Sequence, residues 1–171
     1  MNQNFSTMYF TRCPNHKKRE SGCQIMKADR TGSTYGEPIA VEIKTIDSLD
    51  VVGHPTLSSD ELKLIFASER RNGIGGKDLW ISERESKSEE FGRPRNLSAI
   101  VNTEGDELYP FMRNDSTLYF ASDGHGGMGG LDIFVTTLDS LGEWTAPVNL
   151  KSPINSIGND YGITFHPNEE R

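Results

Sequence analysis

The feature that most constrains this chain is an internal repeat. The stretch from Asp106 to Asn149 contains E-L-Y-P-F-M-R-N-D-S-T-L-Y-F-A-S-D-G-H-G-G-M-G-G-L-D-I-F and, further on, W-T-A-P-V-N-L. An earlier copy starts at His54 with H-P-T-L-S-S-D-E-L-K-L-I-F-A-S-E-R-R-N-G-I-G-G-K-D-L-W and closes with F-G-R-P-R-N-L. A third, eroded copy opens the chain as M-Y-F-T-R-C, C-Q-I-M and Y-G-E-P-I-A-V. Phe10, Phe66 and Phe120 hold one repeat position, so the period is 56 and then 54 residues. Self-similarity at such a period signals stacked supersecondary units that cannot bury their apolar faces alone.

Each full copy divides into four short runs suited to a pleated surface, separated by turn residues. In the second copy these are Pro55–Leu57, Leu64–Ser68, Asp78–Ser82 and Arg95–Leu97. In the third they are Pro110–Met112, Leu118–Ser122, Asp132–Thr136 and Val148–Leu150. The first copy supplies Thr7–Thr11, Gln24–Ala28 and an edge-like Ile39–Ile43 after the turn T-G-S-T-Y-G-E-P, with Pro38 placed where no ladder donor is needed. No helical period of apolar residues is sustained anywhere, so little or no helix is expected.

Four strands per repeat of about 50 residues predict an all-β chain: a β-propeller of four-stranded antiparallel blades, with about three blades present. The blades span about 5–50, 54–100 and 107–152, and 158–168 supplies the first strand of a further blade. The chain thus opens on a second strand and ends on a first strand. Propellers typically have four to eight blades. The favoured reading is therefore a fragment of a longer propeller, and the alternative is a ring completed by a second chain.

The net charge of −7 argues against nucleic acid, whose phosphates require a basic face. No apolar run is long enough to span a membrane, and the opening M-N-Q-N-F-S-T is not a signal peptide. Cys13 and Cys23 fit neither redox nor zinc spacing. By repeat alignment Cys13 matches Glu69 and Asp123 at the end of one strand, and Cys23 matches Lys77 and Leu131 at the start of its neighbour. A disulfide clamping the connecting loop is favoured over free thiols, and it would imply an oxidising compartment such as a periplasm.

The loop Asp123–Gly130 invites reading as an anion nest or a metal loop, with Asp123, Asp132 and His125 as ligands. Its counterpart R-R-N-G-I-G-G-K lacks the histidine but keeps Gly75 and Gly76, which match Gly129 and Gly130. A hairpin whose glycines accept positive φ is the favoured reading. Asp78 and Asp132 then pin the glycine loop through backbone N–H groups, with calcium ligation as the alternative. Phe91 and Trp144 share a position with Tyr35 and are expected to pack between blades, rather than to stack on carbohydrate. Asn96, Asn102, Asn149 and Asn155 read as loop hydrogen-bonders, and Asp60 and Asp115 as turn residues. His54 and His166 align with Tyr109 near the first strands, while Lys17–Glu20 forms a charged loop suited to a partner contact. No nucleophile motif or paired acid is visible, so no catalytic residue, cofactor or metal is expected.

The blocks N-D-S-T-L-Y-F-A-S-D-G-H-G-G-M-G-G-L-D-I-F and E-W-T-A-P-V-N-L-K-S-P-I-N-S resemble TolB-type, WD-repeat-like propeller repeats. The likeness is to the variety in OmpA-family proteins of Bacteroidota, including the propeller-bearing periplasmic component of the type IX secretion system. M-Y-F-T-R-C with Cys23 looks like the opening blade of such propellers. The resemblance covers essentially the whole chain. It implies a non-catalytic scaffold in the periplasm, associated with the outer membrane, with protein partners in the cell envelope. Peptidoglycan proximity would come from an OmpA-like domain that this chain does not contain, so it transfers to no residue here. Fold alone does not fix function. A glycan- or peptidoglycan-binding module is the alternative, and a propeller hydrolase or lyase the remaining one.

Overall fold

A computed structural model describes residues 6–14, 22–46 and 50–165. These residues form twelve strands and no helix, hence no helix able to cross a membrane. The strands are β1 (Thr7–Arg12), β2 (Gln24–Thr31), β3 (Thr34–Tyr35), β4 (Ile39–Ala40), β5 (Val52–Leu57), β6 (Lys63–Ser68), β7 (Asp78–Glu83), β8 (Arg95–Asn96), β9 (Glu107–Arg113), β10 (Thr117–Ser122), β11 (Asp132–Thr137) and β12 (Val148–Asn149). They make three antiparallel four-stranded sheets. The second and third are simple meanders, β5-β6-β7-β8 and β9-β10-β11-β12, and in the first β2 pairs with β1, β3 and β4. The sheets stack in sequence order without closing into a ring.

The repeat is visible in the register. Three hairpins each align six residue pairs, ending at Arg12↔Gln24, Ser68↔Asp78 and Ser122↔Asp132. Successive side chains of a strand point to opposite faces, and β6 uses both. Leu64 and Phe66 join Ile25, Ile43, Val52, Trp80 and Phe91 in a core between the first and second sheets. Ile65 and Ala67 join Leu79, Ile81, Leu97, Val101, Leu118, Phe120 and Phe134 between the second and third. A strand covered on both faces reads as an unbroken apolar run, and K-L-I-F-A-S is fully buried after its lysine.

The first strand of each full copy starts earlier than its sequence suggests. β5 begins at Val52 and β9 at Glu107, not at Pro55 and Pro110. In each, the register with the next strand shifts where His54 (φ 52°) or Tyr109 (φ 51°) precedes the proline. Positive φ is uncommon outside glycine, and proline cannot donate to the ladder. Together they mark an irregularity inside the strand, which on sequence alone looks like its beginning. In the last copy Gly162 (φ 76°) takes the same place, so the counterpart of His54 and Tyr109 there is Gly162 and not, as expected, His166.

Three further differences come from the chain's outer segments. T-G-S-T-Y is not only a turn, since Gly32 (φ 65°) reverses the chain so that Tyr35 pairs with Arg30 on β2. The expected strand Ile39–Ile43 is cut to Ile39–Ala40, because Ile43 leaves the sheet and bridges in parallel to Phe91. The last first-strand copy, expected at Tyr161–His166, forms no ladder among the described residues. It lies against the third sheet, with Tyr161 stacked on Tyr109 (4.8 Å) and Phe165 between Phe111 (5.7 Å), Tyr119 (4.9 Å) and Arg113 (4.2 Å to the guanidinium). His16, His166 and Lys17–Glu20 lie outside the described residues.

Candidate functional site

The side chains singled out in the sequence gather where one sheet hands over to the next. Asp78 opens β7 and is completely buried. Its carboxylate accepts the Ile74 N–H (2.5 Å), the Gly75 N–H (3.3 Å) and the Asn96 Nδ2–H (2.8 Å). Asp132, also completely buried, accepts the N–H groups of Met128 (2.8 Å) and Gly129 (3.0 Å) through Oδ2. Its Oδ1 has no partner. In Asp78 the Gly75 N–H goes to Oδ1, whereas in Asp132 both loop N–H groups converge on Oδ2; Asn149 Nδ2 meanwhile turns to the Gly126 carbonyl (3.4 Å).

The asparagines are more than loop hydrogen-bonders. Asn102, 1% exposed, receives the Leu79 N–H on Oδ1 (2.8 Å) and donates Nδ2 to the Leu79 carbonyl (3.0 Å) and to Asn96 Oδ1 (2.8 Å). Asn155 repeats this on Ile133 (2.8 and 2.9 Å) and on Asn149 Oδ1 (2.8 Å). Each amide therefore stands in for one residue of a strand alongside β7 or β11, and it anchors the irregular linker that leads to the next sheet. Buried backbone groups require such partners, and a primary amide is the side chain that both donates and accepts.

The glycines serve close approach and not, as expected, positive φ. Gly75, Gly76, Gly129 and Gly130 are absent from the positive-φ residues. A Cβ on Gly75 would stand 2.3 Å from the Thr103 carbonyl oxygen, and one on Gly129 1.9 Å from that of Gly158. On Gly76 and Gly130 it would meet Asp106 Oδ1 and Asn159 Oδ1, each at 2.2 Å. The hairpin is thus pressed onto the linker, and the backbone pairs Gly76–Gly105 (2.9 Å) and Gly130–Gly158 (3.0 Å) seal the contact.

One alignment position carries three chemistries. In the first sheet Cys13 and Cys23 form a disulfide (Cα–Cα 4.1 Å). In the second, Glu69 and Lys77 make an ion pair (2.9 Å), with Asp106 also 3.5 Å from the ammonium. Glu69 first, and Asp106 after it, hold the Lys77 ammonium above its ordinary pKa. In the third, Asp123 accepts the Asp106 N–H (2.7 Å).

Phe91 is fully buried between the first and second sheets, while Trp144 is partly buried against the core between the second and third. Tyr35 sits on β3 outside both clusters. His125 reaches the Val101 carbonyl (2.8 Å) across the joint and packs on Phe134 (5.1 Å). His54 stacks on Tyr109 (4.0 Å) and accepts its N–H on Nδ1 (3.4 Å); burial, with Lys77 adding to it, lowers its pKa.

Among the described residues no group of three His, Cys, Asp or Glu side chains could hold a metal ion. The two best-formed depressions have volumes of about 150 and 170 Å³, below the roughly 300–1,000 Å³ of small-molecule sites. The arrangement binds sheet to linker and linker to sheet. No family model matches the chain, and no curated protein is similar to it.

Proposed function

We propose that the three sheets are blades of a β-propeller, a non-catalytic protein-binding scaffold in a periplasmic, outer-membrane- and peptidoglycan-associated assembly such as the type IX secretion system. The observation that carries this reading is the repeated joint. Asp78, Asn96 and Asn102 at one handover, and Asp132, Asn149 and Asn155 at the next, use their polar atoms on neighbouring backbone. Polar groups held this way build a rigid stack and are committed to architecture, which favours recognition by surface over chemistry in a cleft. The Cys13–Cys23 disulfide favours an extracytoplasmic compartment, because such bonds are rare in reducing ones.

The test is cross-linking in intact envelopes followed by purification through a tag on this chain. The scaffold reading expects defined envelope proteins in fixed stoichiometry, and no binding of cell-wall fragments by the purified chain. Saturable binding of muropeptides or glycans by the purified chain would replace it with the carbohydrate-binding alternative. Turnover of a glycan or ester substrate would replace it with an enzyme.

A further inference from the structure

The joint between the first and second sheets and the joint between the second and third do not close alike. In the former, linker residues 42–44 run parallel to Phe91 and bridge to it through Ile43. The Phe91 N–H donates to the Glu42 carbonyl and the Lys44 N–H to the Phe91 carbonyl, both at 2.9 Å. Ile43 is buried in the core there, and Lys44 Nζ lies 3.6 Å from Glu90 Oε1. Three linker residues thus serve as a short added strand.

In the third sheet Trp144 stands where Phe91 stands in the second. The Thr145 N–H bonds to the Thr137 carbonyl (2.9 Å) as the Gly92 N–H does to that of Glu83 (2.8 Å). Thr136 Oγ1 donates to the Thr145 carbonyl (2.6 Å) as Ser82 Oγ does to that of Gly92 (2.5 Å). The antiparallel bridge of Trp144 to Leu138 is made by the flanking N–H groups of Asp139 and Thr145. The N–H and C=O of Trp144 itself therefore face away from Leu138, and among the described residues neither is bonded. The linker cannot take them as residues 42–44 do. Ser98 (φ 81°) turns it back, and the Ser98 carbonyl accepts the N–H groups of Val101 (3.2 Å) and Asn102 (2.9 Å).

Between Trp144 and that turn lies the depression of about 170 Å³, walled by Ile81, Leu97, Met112 and Leu138. Its cations, Lys63 and Arg95, both lie against Glu83 (3.9 and 3.0 Å), and Asp115 is held by Ser59. Glu143, the exposed counterpart of Glu90, has no ion pair among the described residues and is the charge left for an occupant. We propose that this groove binds an extended segment of a protein partner by strand addition. The segment runs parallel to Trp144 and exchanges two backbone hydrogen bonds with it. Its middle residue, aliphatic as Ile43 is, fills the groove, and a lysine or arginine after it pairs with Glu143. Backbone pairing supplies affinity in such a mode, and the side-chain pocket supplies selectivity. The proposal rests on the protein-binding reading and names the chemistry of the partner.

The segment that closes the first joint supplies the probe. A capped peptide with the sequence of residues 41–46, V-E-I-K-T-I, is titrated into the isotope-labelled chain and followed by NMR. Saturable shifts are expected at the backbone and indole N–H groups of Trp144, with slower exchange of the Trp144 amide. Methylating the amide nitrogen of the peptide's lysine removes the donor to the Trp144 carbonyl and should abolish binding. Glu143→Lys in the protein should weaken binding by about two- to tenfold with the rest of the amide spectrum unchanged. A peptide carrying Lys44→Glu should restore it on that variant. No saturable shift at millimolar peptide, shifts centred elsewhere, or indifference to N-methylation or to Glu143→Lys overturns the proposal. So does a dimer of the chain that Glu143→Lys dissociates, because the occupant is then a second copy. A chain that binds the peptide yet captures no envelope protein refutes the scaffold role alone. One that binds no peptide, and captures envelope proteins undiminished by Glu143→Lys, refutes the groove alone.

Discussion

Asn102→Ala tests whether the buried amide holds the second and third sheets together. The wild-type side chain makes three hydrogen bonds, and its removal leaves the Leu79 N–H buried without an acceptor. The Leu79 carbonyl fares better, since it keeps the Leu97 N–H (3.0 Å). An unsatisfied buried donor costs about 1–3 kcal/mol, and each lost neutral bond about 0.5–1.5 kcal/mol net. Counting the orphaned N–H once and the bond to Asn96 once gives about 2–4 kcal/mol. For a chain of this length each kcal/mol moves Tm by about 2–4 °C, so the melting point should fall by roughly 5–15 °C. Urea unfolding should show a lower midpoint at unchanged slope, the sign of lost stability without a changed unfolded state. Asn155→Ala breaks the same set of bonds at the last handover. There it should release the terminal segment locally, seen as faster exchange of the Ile133 amide, with a smaller effect on global unfolding. If Asn102→Ala lies within about 0.5 kcal/mol of wild type, as surface substitutions do, the amide is not a structural anchor and the joint must be explained by apolar packing.

Three further outcomes follow from the same geometry. Gly129→Ala would place a methyl 1.9 Å from a backbone oxygen, whereas Gly126→Ala would meet nothing within 4 Å. The first should therefore destabilise by more than about 2 kcal/mol and the second by less than 0.5 kcal/mol in thermal melts. Because burial lowers the folded pKa of His54, the unfolded chain takes up its proton first. Stability should decline as pH falls from about 6.5 toward the folded value, and His54→Asn, which tolerates the positive φ, should flatten that part of a stability–pH curve. Replacing Cys13 and Cys23 by serine opens a loop with a sequence separation of 10. It should cost about 2–3 kcal/mol, with hydrogen exchange accelerated in β1 and β2 before the other sheets.

The strands that were legible from sequence were those whose own residues decide their place. K-L-I-F-A-S buries both faces and T-L-Y-F-A-S buries one fully and the other in part, and the aligned Phe66 and Phe120 give the two strands the same place in the repeat. The strand starts at Val52 and Glu107 were hidden by the positive φ of His54 and Tyr109, because a proline after a kink looks like a boundary. The glycine loop was legible as architecture, but its physical reason was not. Whether a glycine serves backbone torsion or close approach depends on what lies above it, and the atoms above Gly75 belong to Thr103 and Glu104. Asp115 likewise read as a turn residue, yet it accepts the Ser59 N–H (2.6 Å) of the preceding sheet's turn and its hydroxyl as well.

The departures between copies explain one another once the joint is known. Ser122 has Glu107 opposite it; in the second sheet the same pair of positions holds Ser68 and Val52, and Ser68 Oγ is left without a partner. Val52 gains apolar contact in the core between the first two sheets at the expense of that hydroxyl. Glu107 makes the opposite choice, being completely buried with its carboxylate held by Thr103 and Ser122. Burying a carboxylate is costly unless its oxygens are bonded, and the linker supplies Thr103 where the strand supplies Glu107. In the last copy Ser156 and the half-buried Asp160 repeat the pairing of Thr103 with Glu107. Linker and first strand therefore form one unit, and the handover between sheets is the part of the repeat whose residues depend most on each other.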